Sequence, residues 1–288
     1  HIDHDTLEID MINFTGPNFA DVDNRLMSLQ LIKNDMTDAV MFGPDGNNLL
    51  PAAVLYKKNI LALRGSFRPV TKVNMDMFQK SYDIFIREQT VDMENAIVVF
   101  EITLSNLKAS GEIDEQDFMD RAELLCSLGH TVLISKFQEY YKLVEYFNNY
   151  TKAKIGLTMG VNNLVDVFDE KYYRHLSGGI LEAFGKLFFK DLKVYLYPMK
   201  DPETGQVLTS NNVKVHPRMK ELYKFFKYNG KVMDIIDYDP DVLHIFSRDV
   251  LKKIINKDEG WEKELPEGIA EIIKEKNLFT RKVLEEKE

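Results

Sequence analysis

Ala96-Ile-Val-Val-Phe-Glu-Ile-Thr103 carries apolar residues on successive positions, not on alternate ones. A strand with one wet face alternates apolar and polar side chains. A run that is apolar on both sides belongs in a sheet covered on both faces, and such sheets are mainly parallel. Working outward, the same reading applies to Ile60–Leu63 and Thr131–Ser135, and then to Leu7–Phe14, Ala39–Phe42, Lys154–Met159, Lys193–Tyr197 and Val232–Ile236. The intervening stretches have apolar residues at helical spacing: Val22–Met36, Met75–Glu88, Asp114–Leu128, Phe137–Tyr150, Asn163–Tyr173, Ile180–Phe189 and Pro217–Tyr228. Asp114 is placed to cap its helix, and Gly129 to end it before the strand at Thr131.

Repeated βα units predict an α/β fold with a mainly parallel sheet. Eight units in a chain of this length match a (β/α)8 barrel, the favoured arrangement. A doubly wound open sheet gives the same alternation, since both architectures bury parallel strands beneath helices. Residues 1–237 are expected to form this α/β domain. Residues 238–288 are expected to form a helical extension packed on it, with helical patterns at Pro240–Asn256 and Pro266–Lys276 and a charge-dense, fraying end at Arg281–Glu288. Lys200–His216, rich in Asp, Pro, Gly, Ser, Thr and Asn, reads as a long surface loop or hairpin.

Acidic residues outnumber basic ones by 46 to 37, for a net charge of −9, and no dense Lys/Arg run is present, so a nucleic-acid partner is not expected. No apolar stretch approaches the ~18 residues of a membrane span, and the βα pattern is not that of a membrane β-barrel, so no membrane partner is expected either. The single cysteine, Cys126, lies in the apolar run Ala122–Leu128 and reads as a buried thiol. A reducing, cytoplasmic setting fits it. No Cys/His spacing suits a metal, and no cofactor motif is present: there is no P-loop, no GxGxxG in a βα turn, no GxSxG and no HExxH. The cofactor is therefore left unknown.

In either α/β architecture the chemistry sits where strands end and helices begin. Polar residues at those points are Arg64, Ser66 and Arg68 after the third strand, Glu101 in the fourth, Lys136 after the fifth, Asn162 and Asn163 after the sixth, and Lys200 after the seventh. Gathered at one edge, Arg64, Arg68, Lys136 and Lys200 would form a knot of cations around Glu101, suited to a small phosphate- or carboxylate-bearing metabolite. Glu101 and Lys136 are the acid–base candidates. Arg64, Ser66, Arg68, Asn162, Asn163 and Lys200 are the ligand-binding candidates. The alternative is a non-catalytic binding or oligomerisation module. Its homo-oligomer contact would use the aromatic helix carrying Tyr140, Tyr141, Tyr146, Phe147 and Tyr150.

Two partial motifs lack a necessary residue. Phe42-Gly43-Pro44-Asp45-Gly46 is similar to the DxDG loop of haloacid-dehalogenase-type phosphatases, but Gly43 stands where the nucleophilic Asp is needed. Ser127-Leu128-Gly129-His130 is similar to the HxGH motif of nucleotidylyl transferases, but Ser127 replaces the first His.

Longer runs point to a family. Arg64-Gly-Ser-Phe-Arg-Pro-Val-Thr71, Phe137-Gln-Glu-Tyr-Tyr141, Met159-Gly-Val161, Phe168-Asp-Glu-Lys-Tyr-Tyr173, Ser177-Gly-Gly-Ile-Leu-Glu-Ala-Phe-Gly185 and His244-Ile-Phe-Ser-Arg-Asp249 resemble the C-terminal part of a bacterial protein family. Its members carry the names "TonB-dependent receptor" or "nicotinate-nucleotide adenylyltransferase". The resemblance spans nearly the whole chain. It implies a further N-terminal region absent from this chain, an expectation that the opening His1 also suggests, and it brings no residue roles with it. The second name implies nucleotidyl transfer as a further alternative.

Overall fold

A computed structural model describes residues 9–108 and 113–280. Its strands are β1 (Ala39–Phe42), β2 (Asn48–Leu49), β3 (Asn59–Arg64), β4 (Ala96–Thr103), β5 (Thr131–Ser135), β6 (Ile155–Gly160), β7 (Lys193–Tyr197), β8 (Met199–Lys200), β9 (Val207–Leu208) and β10 (Val232–Asp234). The helices are α1 (Asn24–Lys33), α2 (Pro51–Leu55), α3 (Lys72–Phe85), α4 (Leu104–Leu107), α5 (Glu115–Ser127), α6 (Tyr140–Tyr150), α7 (Val161–Val167), α8 (Gly179–Leu187), α9 (Lys220–Tyr228), α10 (Ser247–Asn256) and α11 (Ile269–Lys276).

The large sheet has the order β10-β7-β6-β3-β4-β5-β1-β2. From β10 to β5 all neighbours are parallel. The chain enters this parallel block at β3, in its middle. It then steps outward through β4 and β5, returns to the centre, and steps the other way through β6, β7 and β10. This is the doubly wound order. The favoured (β/α)8 barrel does not form, because the sheet keeps two edges, β10 and β2. The sheet is mainly parallel, as expected; at one side β1 runs antiparallel to β5 and β2 antiparallel to β1. Residues 9–14 of the expected first strand join no sheet, and residues 7 and 8 lie outside the described part, as does the expected fraying end at 281–288. The segment 200–216 holds the short antiparallel hairpin β8–β9.

Alternate strand residues feed two apolar layers. Leu61, Leu63, Phe100, Ile102, Val132 and Tyr195 face α1, α3, α5, α10 and α11, so Val250, Ile254, Ile269 and Ile273 of the C-terminal helices share a cluster with Phe118 of α5. Ile60, Ala62, Val99, Leu133, Leu157 and Val194 face α2, α6, α7, α8 and α9. The aromatic helix proposed as an oligomer contact is turned inward: Tyr140, Tyr141, Tyr146 and Phe147 are all buried in this second layer.

Where β6 crosses beneath α3 there is no room for a side chain. A Cβ on Gly156 would lie 2.7 Å from the Tyr195 ring and 3.0 Å from Leu61 and Phe85. Gly185, inside α8, has nothing within 4 Å of its Cβ position. Urea unfolding should therefore show Gly156→Ala destabilised by about 1–3 kcal/mol. Gly185→Ala should be neutral or more stable by up to about 1 kcal/mol.

Candidate functional site

A cleft of about 520 Å³ opens at the carboxyl ends of β3, β4, β5 and β6, where the strand order reverses between β3 and β6. Arg64, Gly65 and Ser66 leave β3, and Thr103, Ser105 and Asn106 close β4. Gln138, Glu139 and Tyr140 lead into α6, and Asn163 and Asp166 come from α7, with Tyr172 and Tyr173 beyond.

The floor is a charged pair. Arg64 and Glu101 are register partners on adjacent parallel strands, so their side chains emerge side by side. Arg64 donates from Nε to Glu101 Oε2 at 2.7 Å and from Nη2 to Oε1 at 2.9 Å, the bidentate fork that carboxylates favour. Ser135 of β5 donates to the same Oε1 at 2.6 Å. Arg64 Nη1 reaches the carbonyl of Gln138 at 2.7 Å, and the guanidinium lies 4.2 Å from the centre of the Tyr140 ring. Burial opposes the charge on Arg64, but the facing Glu101 outweighs it and the guanidinium stays protonated. Glu101 is 0% exposed and does not line the cleft, so its carboxylate offers no open base to a ligand. Burial pushes the Tyr140 phenol up to about 12, and as a neutral hydroxyl it accepts a hydrogen bond from Asn163 Nδ2 at 3.0 Å.

A second buried arginine ties the walls together. Arg121 of α5, 1% exposed, donates from Nη1 to the carbonyls of Ser66 and Asn106, each at 3.1 Å. It pairs with Asp117 one helical turn away, and Arg68 Nε pairs with the same carboxylate at 2.5 Å. The loops after β3 and β4 are thereby fixed relative to α5.

The expected cation knot does not assemble. Arg68 turns away from the cleft to Asp117. Lys136 pairs with Asp38 at 2.9 Å and Asp35 at 3.2 Å beside β1 and does not line the cleft, and these carboxylates raise its pKa. Lys200 is exposed on the β8–β9 hairpin, and Asn162 is exposed on α7 without lining the cleft. Arg64, Ser66 and Asn163 do meet in it. The physical reason is local: Arg68 and Lys136 each have a carboxylate within reach outside the cleft, and Lys200 faces solvent. The wall instead carries Asp166, which accepts from Tyr172 at 3.3 Å, and Glu139, paired with Lys142 at 2.8 Å. Sequence reading missed Asp166, Tyr140, Asn106 and Arg121. A usable signal existed for Asn106, since Thr103-Leu-Ser-Asn106 forms a capping box straight off a strand. Arg121 shows in sequence only as an ordinary helical i,i+4 pair with Asp117.

His130 sits at the opposite edge, before β5, stacked on Phe100 at 4.2 Å and edge-on to Phe78 at 4.9 Å. The incomplete HxGH run is thus remote from the cleft. The Phe42–Gly46 run forms the β1–β2 turn, where Gly46 donates to the Gly43 carbonyl.

No family pattern matches the chain, and no curated protein matches it. Among solved structures it is similar to Plasmodium falciparum nicotinic acid mononucleotide adenylyltransferase. The complex with NaAD aligns at TM-score 0.46 and 13% identity, over 77% of this chain and 97% of that one. The complex with APC aligns at TM-score 0.46 and 12% identity over the same shares.

Two measurements check this geometry. Arg64→Met and Glu101→Leu should each cost about 3–5 kcal/mol in urea unfolding, because each leaves the opposite charge buried and unpaired, while the double variant should cost clearly less than the sum. Burial holds the His130 imidazole down at about 4, below its usual 6.5. The unfolded chain therefore binds this proton first as pH falls, so the contribution of the neutral ring is full above 6.5 and declines towards 4. Between about pH 7 and about pH 4.5 the native chain should lose on the order of 2 kcal/mol more than His130→Phe, allowing for partial solvent access.

Proposed function

We propose that this chain binds a small polar metabolite in the cleft at the strand-order reversal, with room for one anionic group beside Arg64. The observation that carries this reading is the convergence of hydroxyl, amide and carboxylate groups from four strand ends on one cavity. In open α/β sheets ligands bind at this crevice, and a cavity of a few hundred Å³ with a few polar groups suits a small molecule.

Charge narrows the ligand. The positive charge of Arg64 is already matched by Glu101, and Asp166 adds an unmatched negative charge to the wall. A polyphosphate gains little there, which weighs against the nucleotidyl-transfer alternative. A neutral or singly anionic molecule with several hydroxyls fits better. Arg64 retains N–H groups beyond the three already engaged, and it would hold the ligand's anionic or carbonyl oxygen. Ser66, Asn106 and Asn163 would direct its polar edge, and Asp166 would accept from ligand hydroxyls. Glu101 takes a positioning role, holding Arg64 in place. No reaction is assigned.

A thermal-shift screen of monosaccharides, nucleosides and small hydroxy or keto acids should yield compounds that raise the melting temperature. For such a compound, Asp166→Asn and Asn163→Ala should each weaken binding by about ten- to a hundredfold, the cost of one buried hydrogen bond to a polar ligand, and Asp166→Asn should leave the ligand-free melting temperature unchanged. A compound bound equally well by both variants would place binding elsewhere. A screen without a stabilising compound would remove the reading.

A further inference from the structure

α9 is apolar on more sides than the core can use. It buries Tyr223 against Phe168 at a centroid distance of 5.1 Å, and Phe226 stacks on Phe188 at 4.2 Å. Phe225 and Tyr228 point outward, 59% and 82% exposed. Phe189, next to Phe188, is 52% exposed, with the Lys190 ammonium 5.2 Å from its ring centre. Lys231 Nζ donates to the Lys190 carbonyl at 2.6 Å, which joins the turn after α8 to the turn after α9. The three exposed rings therefore lie at one end of the molecule.

The same end is basic. Around these rings stand Lys190, Lys224, Lys227 and Lys231, within a protein of net charge −9, whereas Lys214, Arg218 and Lys220 belong to the other end of α9. Glu221 is matched by Lys224 at 2.8 Å, and nearby Asp191 by Lys154 at 3.0 Å. Solvent-facing rings among lysines, on a chain otherwise strongly acidic, mark a surface complementary to negative charge and partly apolar.

We propose that this end docks on an anionic lipid surface, with Phe189, Phe225 and Tyr228 at headgroup depth and the surrounding lysines on the headgroup charges. Three considerations select lipid over other anionic partners. All four of these cations are lysines, whereas protein interfaces deplete Lys and enrich Arg. Single-stranded nucleic acid calls for a groove that tracks its backbone, and here the rings stand on the outer side of a helix. Rings flanked by lysines are the pattern of interfacial helices on acidic membranes. Neither the lack of an apolar span nor the βα pattern bears on docking at a membrane surface. The contact also leaves the cleft free: Phe189–Lys190 precede β7 and Tyr228–Lys231 precede β10, so both lie at the amino ends of the strands, opposite the cleft.

The test is co-sedimentation of the full chain with vesicles of phosphatidylcholine alone and of phosphatidylcholine containing about a third phosphatidylserine. Binding is expected only to the second kind, lost on raising the salt. It should fall at least tenfold in Phe225→Ser/Tyr228→Ser and again in Lys190→Gln/Lys231→Gln, with both variants unfolding in urea like the native chain. Equal binding to both vesicles, no binding to either, undiminished binding by the ring variant, or tighter binding to polyuridylate or polyglutamate than to the acidic vesicles would overturn the proposal.

Discussion

Arg64 and Glu101 occupy adjacent register positions at the downstream ends of two parallel strands, both buried, and much of the surrounding structure serves to make that tolerable. A buried carboxylate without a partner is among the costliest groups a fold can hold, so the pair must stay together and its remaining lone pairs must be satisfied. The bidentate contact does the first, and Ser135 from the next strand helps with the second. The result spans three strands and fixes the floor of the cleft. Arg121, reaching the carbonyls of Ser66 and Asn106 from α5, fixes the walls in the same way. Loops above a sheet are ordinarily its most mobile part. Here two buried guanidinium groups pin them, which is the rigidity a binding site needs.

Charge is sorted across the molecule. Acidic residues outnumber basic ones by 46 to 37. Arg68, Lys136 and Arg64 each find a carboxylate, and the cleft that results is polar and close to neutral, not cationic. Three lysines, Lys190, Lys227 and Lys231, stand instead at the C-terminal end of α9 and the turn after α8, at the amino-terminal edge of the sheet. The two features face opposite ways and answer to different physics: short-range hydrogen bonding in the cleft, and screened long-range attraction at the lysine-rich end.

Local structure was legible wherever the chain is apolar on both faces. Residues 96–103, 131–135 and 193–197 form strands with the bounds that their composition predicts, and Asp114 caps α5 through the amides of Gln116 and Asp117. Strand order was not legible. A barrel and a doubly wound sheet bury the same runs under the same helices, and the choice depends on which face each crossover takes. Residues 9–14 show a further limit, since a run without a neighbouring strand edge forms no strand; Ile9 donates a backbone hydrogen bond to the Met36 carbonyl. At the site, position at a strand end places Arg64, Ser66 and Asn163 around one cleft. It failed for Arg68, Lys136 and Lys200, whose long side chains go to the nearest carboxylate or to solvent. Arg121 and Asp166 lie within helices, where nothing in the local pattern separates a residue facing a cavity from one facing water.

The central claim is that the cleft above the Arg64–Glu101 pair is where this chain holds its ligand. Crystals of the full chain soaked with a mixture of small polar fragments address it most directly. Density for fragments against Ser66, Asn106, Asn163 and Asp166, with the Arg64–Glu101 pair unbroken beneath them, is the predicted result. Fragments collecting at other surfaces while this cleft stays closed by its own side chains would contradict the account.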